Sequence, residues 1–180
     1  MREKWIVETK KGDFNGLSAK LKVSPLAVRC LMNRGVESEQ EMREFLYGTL
    51  DDLHDPFLMK GMDEAVREIV KAKEQGRKVA IASDFDCDGI FSAYILWKGF
   101  QKIGLDSEIF TPDRVKEGYG LNRRIVDEAL AGGRDFLVTC DNGIAANEEV
   151  DYAKKLGMTV IVTDHHEVQE QMPNADAILD

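Results

Sequence analysis

The chain has 180 residues, of which 43% are hydrophobic and 32% charged, enough to close a core without disulfides or metals to staple it. Lys and Arg number 24 against 33 Asp and Glu, a formal net charge of -9, which taken alone argues against nucleic acid, whose binders usually carry a basic surplus. With no apolar run near the roughly 18 residues of a membrane span, no secretory core behind Met1-Arg-Glu-Lys and only Cys30, Cys87 and Cys140 as thiols, the expectation is a soluble cytoplasmic protein, without a membrane partner and with reduced cysteines.

Residues 1–60 are polar and helix-forming, with short apolar faces at Leu17 and Leu21, at Pro25, Leu26, Val28, Leu31 and Met32, and at Met42, Phe45 and Leu46. Ser24-Pro25 fits an N-cap followed by proline in the first turn, and Gly35 and Gly48 fit helix stops. These features predict a helical N-terminal region. After the proline-restrained run Leu50–Phe57, Met62, Val66, Ile69 and Val70 recur at helical spacing up to Gly76. From Lys78 the texture becomes short β-rich runs, each followed by a helical stretch, the pattern of a parallel α/β sheet with crossover helices. The strands are expected at Val79–Ala82, Glu108–Phe110, Phe136–Thr139 and Thr159–Thr163, with a fifth beginning at Ala177. The helices are expected at Ile90–Ile103, Asn122–Ala131 and Ala145–Leu156, the first packing through Ile90, Ala93, Tyr94, Trp97 and Phe100. The domain division follows: 1–60 helical, 61–180 α/β. Acidity is local, because residues 1–78 hold 15 basic and 14 acidic side chains, whereas residues 79–180 hold 9 and 19.

Three expected strands run straight into polar clusters: Asp84-Phe85-Asp86-Cys87-Asp88-Gly89, Asp141-Asn142-Gly143 and Asp164-His165-His166. Parallel strands place ligands at their carboxyl ends, so clusters spread over more than 80 residues of sequence converge on one rim. Five carboxylates and two imidazoles there would repel one another unless cations held them, which points to a site for Mn²⁺ or Mg²⁺. Each cluster has a plainer reading. The first resembles the opening of a calcium-binding EF-hand loop, but Ile95 stands where that loop needs its bidentate Glu. The second alone is a turn or an N-cap, and the third alone is a cap beside structural histidines. His54 is assigned to structure, and Cys87 and Cys140 to apolar packing beneath the site.

In this order and in these strand contexts, Asp-Phe-Asp-Cys-Asp-Gly, Asp-Asn-Gly-Ile and Asp-His-His resemble motifs I, II and III of the DHH phosphoesterase superfamily. Leu53-His54-Asp55-Pro56-Phe57 and the run Arg114–Asn122 are similar to segments of its RecJ-type members, single-strand-specific 5′→3′ exonucleases. The resemblance implies Asp86, Asp88, Asp141 and His165 as metal ligands, with Asp84 as a further ligand or a group supporting them from behind, and Asp141 bridging two ions. Asp164 would orient a histidine or a water, and His166 would contact the scissile phosphate. It implies phosphodiester hydrolysis on single-stranded DNA in recombination and repair, and a single-strand-binding protein or a helicase as partners. Arg114, Lys116, Arg123 and Arg124 around Gly118-Tyr119-Gly120 combine cations, glycine and an aromatic suited to a phosphate and a base; a solvated face is the alternative.

Two rivals remain: a sibling phosphodiesterase acting on short oligoribonucleotides or cyclic dinucleotides, and a non-catalytic DNA-binding scaffold derived from the same fold. Soluble pyrophosphatases of the superfamily carry a histidine four residues before Asp86, where this chain has Ala82. The family's fourth-motif aspartate and second domain have no counterpart before Asp180, so the chain is expected to be the front of a longer protein and, alone, weakly active or inactive.

Overall fold

The computed structural model describes Ile6 and residues 10–180; the sequence reading of the N-terminus as lacking a secretory core falls almost wholly outside them. The chain divides into a first unit ending at Asp55 and a second spanning Pro56–Asp180.

Among the described residues the first unit has three α-helices, α1 (Phe14–Leu21), α2 (Pro25–Asn33) and α3 (Glu39–Tyr47). Asp13 caps α1 by accepting from Gly16 N–H, Ser24 caps α2 with Pro25 in its first turn, and Ser38 and Glu41 form a reciprocal capping box on α3. Leu21, Val28, Leu31, Met32 and Met42 close the core. Leu26 and Phe45, expected on the buried faces, are 69% and 65% exposed, because three short helices can bury only one narrow stripe each.

In the second unit α4 (Met62–Glu74) precedes a five-stranded parallel sheet of β1 (Val79–Ser83), β2 (Ser107–Phe110), β3 (Phe136–Cys140), β4 (Thr159–Thr163) and β5 (Ala177–Leu179) in the order β2-β1-β3-β4-β5. The crossovers carry α5 (Cys87–Ile103), α6 (Arg123–Ala131) and α7 (Asn147–Lys155). β1 and β3 are buried at every position, as strands covered on both faces must be. Val79, Ile81, Phe136, Val138 and Ile161 pack with α4 and α5, and the alternate residues Ala80, Ala82, Leu137, Val160 and Val162 with α6 and α7. α5 begins three residues earlier than the periodicity suggests, because Asp86 caps it. Its buried stripe is Gly89, Ala93 and Phe100, with Leu96 and Trp97 partly covered; Ile90 and Tyr94 face outward at 55% and 52% exposure. A helix apolar around most of its circumference does not itself announce which stripe meets the sheet. None of the helices among the described residues is long and apolar enough to cross a membrane.

Candidate metal centre

The register brings the three clusters together. Ser83 pairs with Cys140 and Cys140 with Thr163 across β1, β3 and β4, so Asp84, Asp141 and Asp164, each one residue further on, stand side by side on neighbouring strands about 4.8 Å apart. The order reverses between β1 and β3, the crevice where open parallel sheets receive ligands.

Ligand oxygens of Asp84, Asp86 and Asp141 lie within 4.8 Å of one another, and Asp141, His165 and His166 form a second such group. Asp141 belongs to both. His165 Nε2 is 2.8 Å from Asp141 Oδ1. Burial pushes the Asp141 carboxyl above the usual carboxylate range and the nearby Asp86 charge adds to this, while the His165 contact works the other way. Asp86 uses Oδ1 to accept from Asp88 N–H and Gly89 N–H at the start of α5, leaving its second oxygen for the site. Asp84 is 1% exposed, and neither of its carboxylate oxygens has a hydrogen-bond partner. A buried carboxylate with no donor facing it is costly unless a cation neutralises it, so the donor set fits a hard divalent ion.

Asp164 is the opposite case. Although buried, it accepts from Ile144 N–H at 2.9 Å, His165 N–H at 2.8 Å, His166 N–H at 3.3 Å and the His166 ring nitrogen Nδ1 at 2.7 Å. Burial acts to raise its pKa, but these donors outweigh it and hold the carboxyl below its ordinary value. The same contact raises the pKa of His166. Asp164 is therefore spent on orientation, fixing the turn after β4 and the imidazole of His166.

Two local constraints hold the loops. Asp141 has φ +60°, a left-handed conformation uncommon for a residue with a side chain, and the Tyr119 hydroxyl donates to its carbonyl at 2.6 Å. A Cβ on Gly89 would sit 2.4 Å from the Asp84 carbonyl oxygen, so only glycine lets α5 start against the end of β1.

A model of the DHH family N-terminal domain matches residues 78–180. The chain belongs to the DHH family. The single-stranded-DNA-specific exonuclease RecJ of Bacillus subtilis is 37% identical over 177 residues, covering 98% of this chain and 22% of that protein. The counterpart from Escherichia coli is 35% identical over 156 residues, 86% of this chain and 26% of the relative. Among solved structures, an exonuclease RecJ bound to manganese is similar at 34% identity and a TM-score of 0.62, over 67% of this chain and 31% of that one. RecJ from Thermus thermophilus in complex with Mn²⁺ is similar at 28% identity and a TM-score of 0.67, over 92% and 22%. The chain thus spans about a fifth to a quarter of the length of these curated relatives.

Within the family frame, Asp88 stands apart from the other expected ligands. It lies outside both ligand groups and instead lines, with Asp141, Asp164 and His165, a cavity of about 510 Å³ floored by Met59, Met62, Leu96 and Leu179. His166, Tyr119 and Gly120 line a second cavity of about 250 Å³ with Asn142 and Ile144, and Asp164 borders both. The Tyr119 hydroxyl is 3.3 Å from each ring nitrogen of His166, and burial among Asp164, Asp141, Asp84 and Asp86 drives its pKa far above the tyrosine range. Gly118 lies in the same loop at φ +83°. Arg114 sits over the Phe85 ring, beside the first cluster. Its three companions are engaged elsewhere: Lys116 with Asp113, Arg123 with Glu148 and the Tyr152 ring, and Arg124 with Glu117, Glu128 and the Thr111 carbonyl. Cys140 is buried as expected, with burial pushing its thiol up to about 11, whereas Cys87 is exposed in the first turn of α5 and packs under nothing. His54 is exposed as well.

Sequence reasoning gave Asn142 no role of its own. It is 1% exposed, donates to the Ala82 and Cys140 carbonyls and accepts from Leu121 N–H, so one amide ties the ends of β1 and β3 to the loop bearing Tyr119. Its place inside an Asp-Asn-Gly turn hid it, because Asn-Gly already explains itself as turn chemistry.

Proposed function

We propose that this chain carries the metal-binding floor of a phosphodiesterase that hydrolyses single-stranded DNA from its 5′ end, using Mn²⁺ or Mg²⁺. The observation that carries the reading is Asp84, a buried carboxylate without a donor, grouped with Asp86 and Asp141 at the switch point of the sheet. Asp84, Asp86, Asp141 and His165 would hold the metal. When bound, such an ion polarises the phosphoryl oxygens and acidifies a water. The chain's own residues do the rest. Asp141, shared by the two ligand groups, links the carboxylate side of the site to the histidine side. Asp164 locks one imidazole nitrogen of His166, and the raised pKa of that ring favours a proton-bearing group able to donate to a phosphate oxygen. Arg114 and Tyr119 border the same rim and supply a cation and an aromatic for the strand. Resemblance to the single-strand-specific relatives supports DNA as the substrate, and the helicase and single-strand-binding-protein partners rest on that resemblance alone.

Asp141→Ala is expected to abolish Mn²⁺-dependent hydrolysis of 5′-phosphorylated single-stranded DNA by a polypeptide carrying this sequence, with the circular dichroism spectrum unchanged. Mn²⁺ binding to the chain itself, followed by electron paramagnetic resonance, should fall with it. Retained hydrolysis, or hydrolysis confined to a cyclic dinucleotide, would overturn the proposal.

A further inference from the structure

The net acidity of the molecule conceals a long segment of opposite sign near its N-terminus. Residues 10–36 hold six basic side chains and one acidic, Asp13, whereas residues 37–55 hold seven acidic and one basic, Arg43. The segment through α1 and α2 is therefore cationic and the segment from Glu37 onward anionic. Ion pairs tie Lys10 to Glu37 at 3.0 Å and Lys20 to Glu39 at 2.9 Å. Lys11, Lys22, Arg29 and Arg34 are exposed and lie in no ion pair among the described residues, while the lone carboxylate, Asp13, is spent on the first turn of α1.

The surface around these cations has a particular shape. α2 contains no acidic residue, and its outward stripe runs Leu26, Arg29, Cys30 and on to Arg34, positions that share one side of a helix. The Arg29 guanidinium lies over the Phe14 ring, 4.8 Å from its centroid. Both residues line an open cavity of about 460 Å³ with Gly12, Asp13, Asn15, Pro25 and Leu26, so one carboxylate shares it with the guanidinium. A planar guanidinium stacked on an aromatic, in a segment with a cationic surplus, combines phosphate attraction with a flat surface for a base.

We propose that the first unit, through Arg29 stacked on Phe14 and the exposed cations Lys11, Lys22 and Arg34 that flank α1 and α2 in sequence, binds single-stranded nucleic acid. None of these residues belongs to the metal centre, and the inference shares with the proposed function only the class of polymer. The test is fluorescence anisotropy of labelled oligothymidine with the 180-residue chain in EDTA, where the metal-free acidic centre repels phosphate and an Arg114→Gln background removes the cation at its rim. Replacing Lys11, Lys22, Arg29 and Arg34 together by Gln should weaken binding at least about tenfold at low salt and lower the slope of log affinity against log salt by up to about 3, at roughly 0.7 per lost contact. Arg29→Lys should keep the slope yet bind several-fold more weakly, because it keeps the charge and loses the plane. All four side chains are exposed, so a folded variant is expected and is checked by circular dichroism. Wild-type binding by the quadruple variant, no loss in Arg29→Lys, or equal competition by polyglutamate would overturn the inference. Binding that depends on these cations in a chain that does not bind Mn²⁺ would uphold it and sink the proposed function; binding unchanged in the quadruple variant, with Asp141-dependent Mn²⁺ binding, would do the reverse.

Discussion

Asp84 and Asp164 are both aspartates directly after a buried strand, and their surroundings give them opposite duties. Asp164 is met by four donors, whereas Asp84 is met by none. Asp84→Asn removes a buried charge that only a cation would compensate, so the metal-free variant should melt about 2–4 °C higher than the wild type. Mn²⁺ should raise the wild-type melting temperature and leave the variant nearly unmoved, as linkage requires when binding is lost; differential scanning calorimetry with and without Mn²⁺ checks both. Glu117 shows the more usual fate of a surface carboxylate. The Arg124 guanidinium, with help from Asp113 N–H, holds its pKa down to about 2 from an ordinary value of 4.5. Because the folded value is the lower one, the stabilisation is complete above about pH 4.5, declines below it and is gone once the pH has fallen through about 2. Carbon-detected NMR titration should find Glu117 near 2 in the wild type and close to 4.5 in Arg124→Gln.

At the scale of elements, the start of α5 carries the most consequence. Asp86 caps it, Gly89 lets it approach Asp84, and Asp88 points from its first turn toward the cavity beside the site. Gly89→Ala should cost about 1–3 kcal/mol from the forced contact and weaken Mn²⁺ binding more than a surface Gly99→Ala control, since Asp86 moves with the helix; chemical denaturation and metal titration of the two variants decide it. Asn122, expected as the first residue of α6, is its cap; the start of α2 was legible because Ser24 precedes Pro25 as a capping side chain. The packing stripe of α5 was not, because Ile90, Phe91, Tyr94 and Ile95 are as apolar as the residues that face the sheet.

Across the whole molecule, two units with separate cores carry different chemistry. Metal added to the protein should slow amide hydrogen exchange at residues 84–89, 119–121, 141–144 and 164–166 and leave Phe14–Tyr47 at its metal-free rate, as mass spectrometry would show. Protection spread equally over both units would contradict a centre built within the second alone. The charge count also reads differently at this scale. The -9 that seemed to exclude nucleic acid is the sum of an acidic metal floor, an acidic α3 segment and a cationic α1–α2 face.

The sequence by itself determined the α/β alternation, the helical N-terminal region and the candidate ligands, because hydrophobic period and residue chemistry are local properties carried by each segment. Only the tertiary structure decided which ligands meet. The register that sets Ser83, Cys140 and Thr163 in one row places Asp84 and Asp141 together and leaves Asp88 to one side, and pairing between strands more than fifty residues apart is written in no single segment. Burial was equally non-local. That Asp84 lacks any donor while Asp164 is saturated, and that Arg124 is bound to Glu117 while Arg29 lies free over Phe14, follows from which backbone and side chains the fold brings within about 3 Å, the reach of a hydrogen bond.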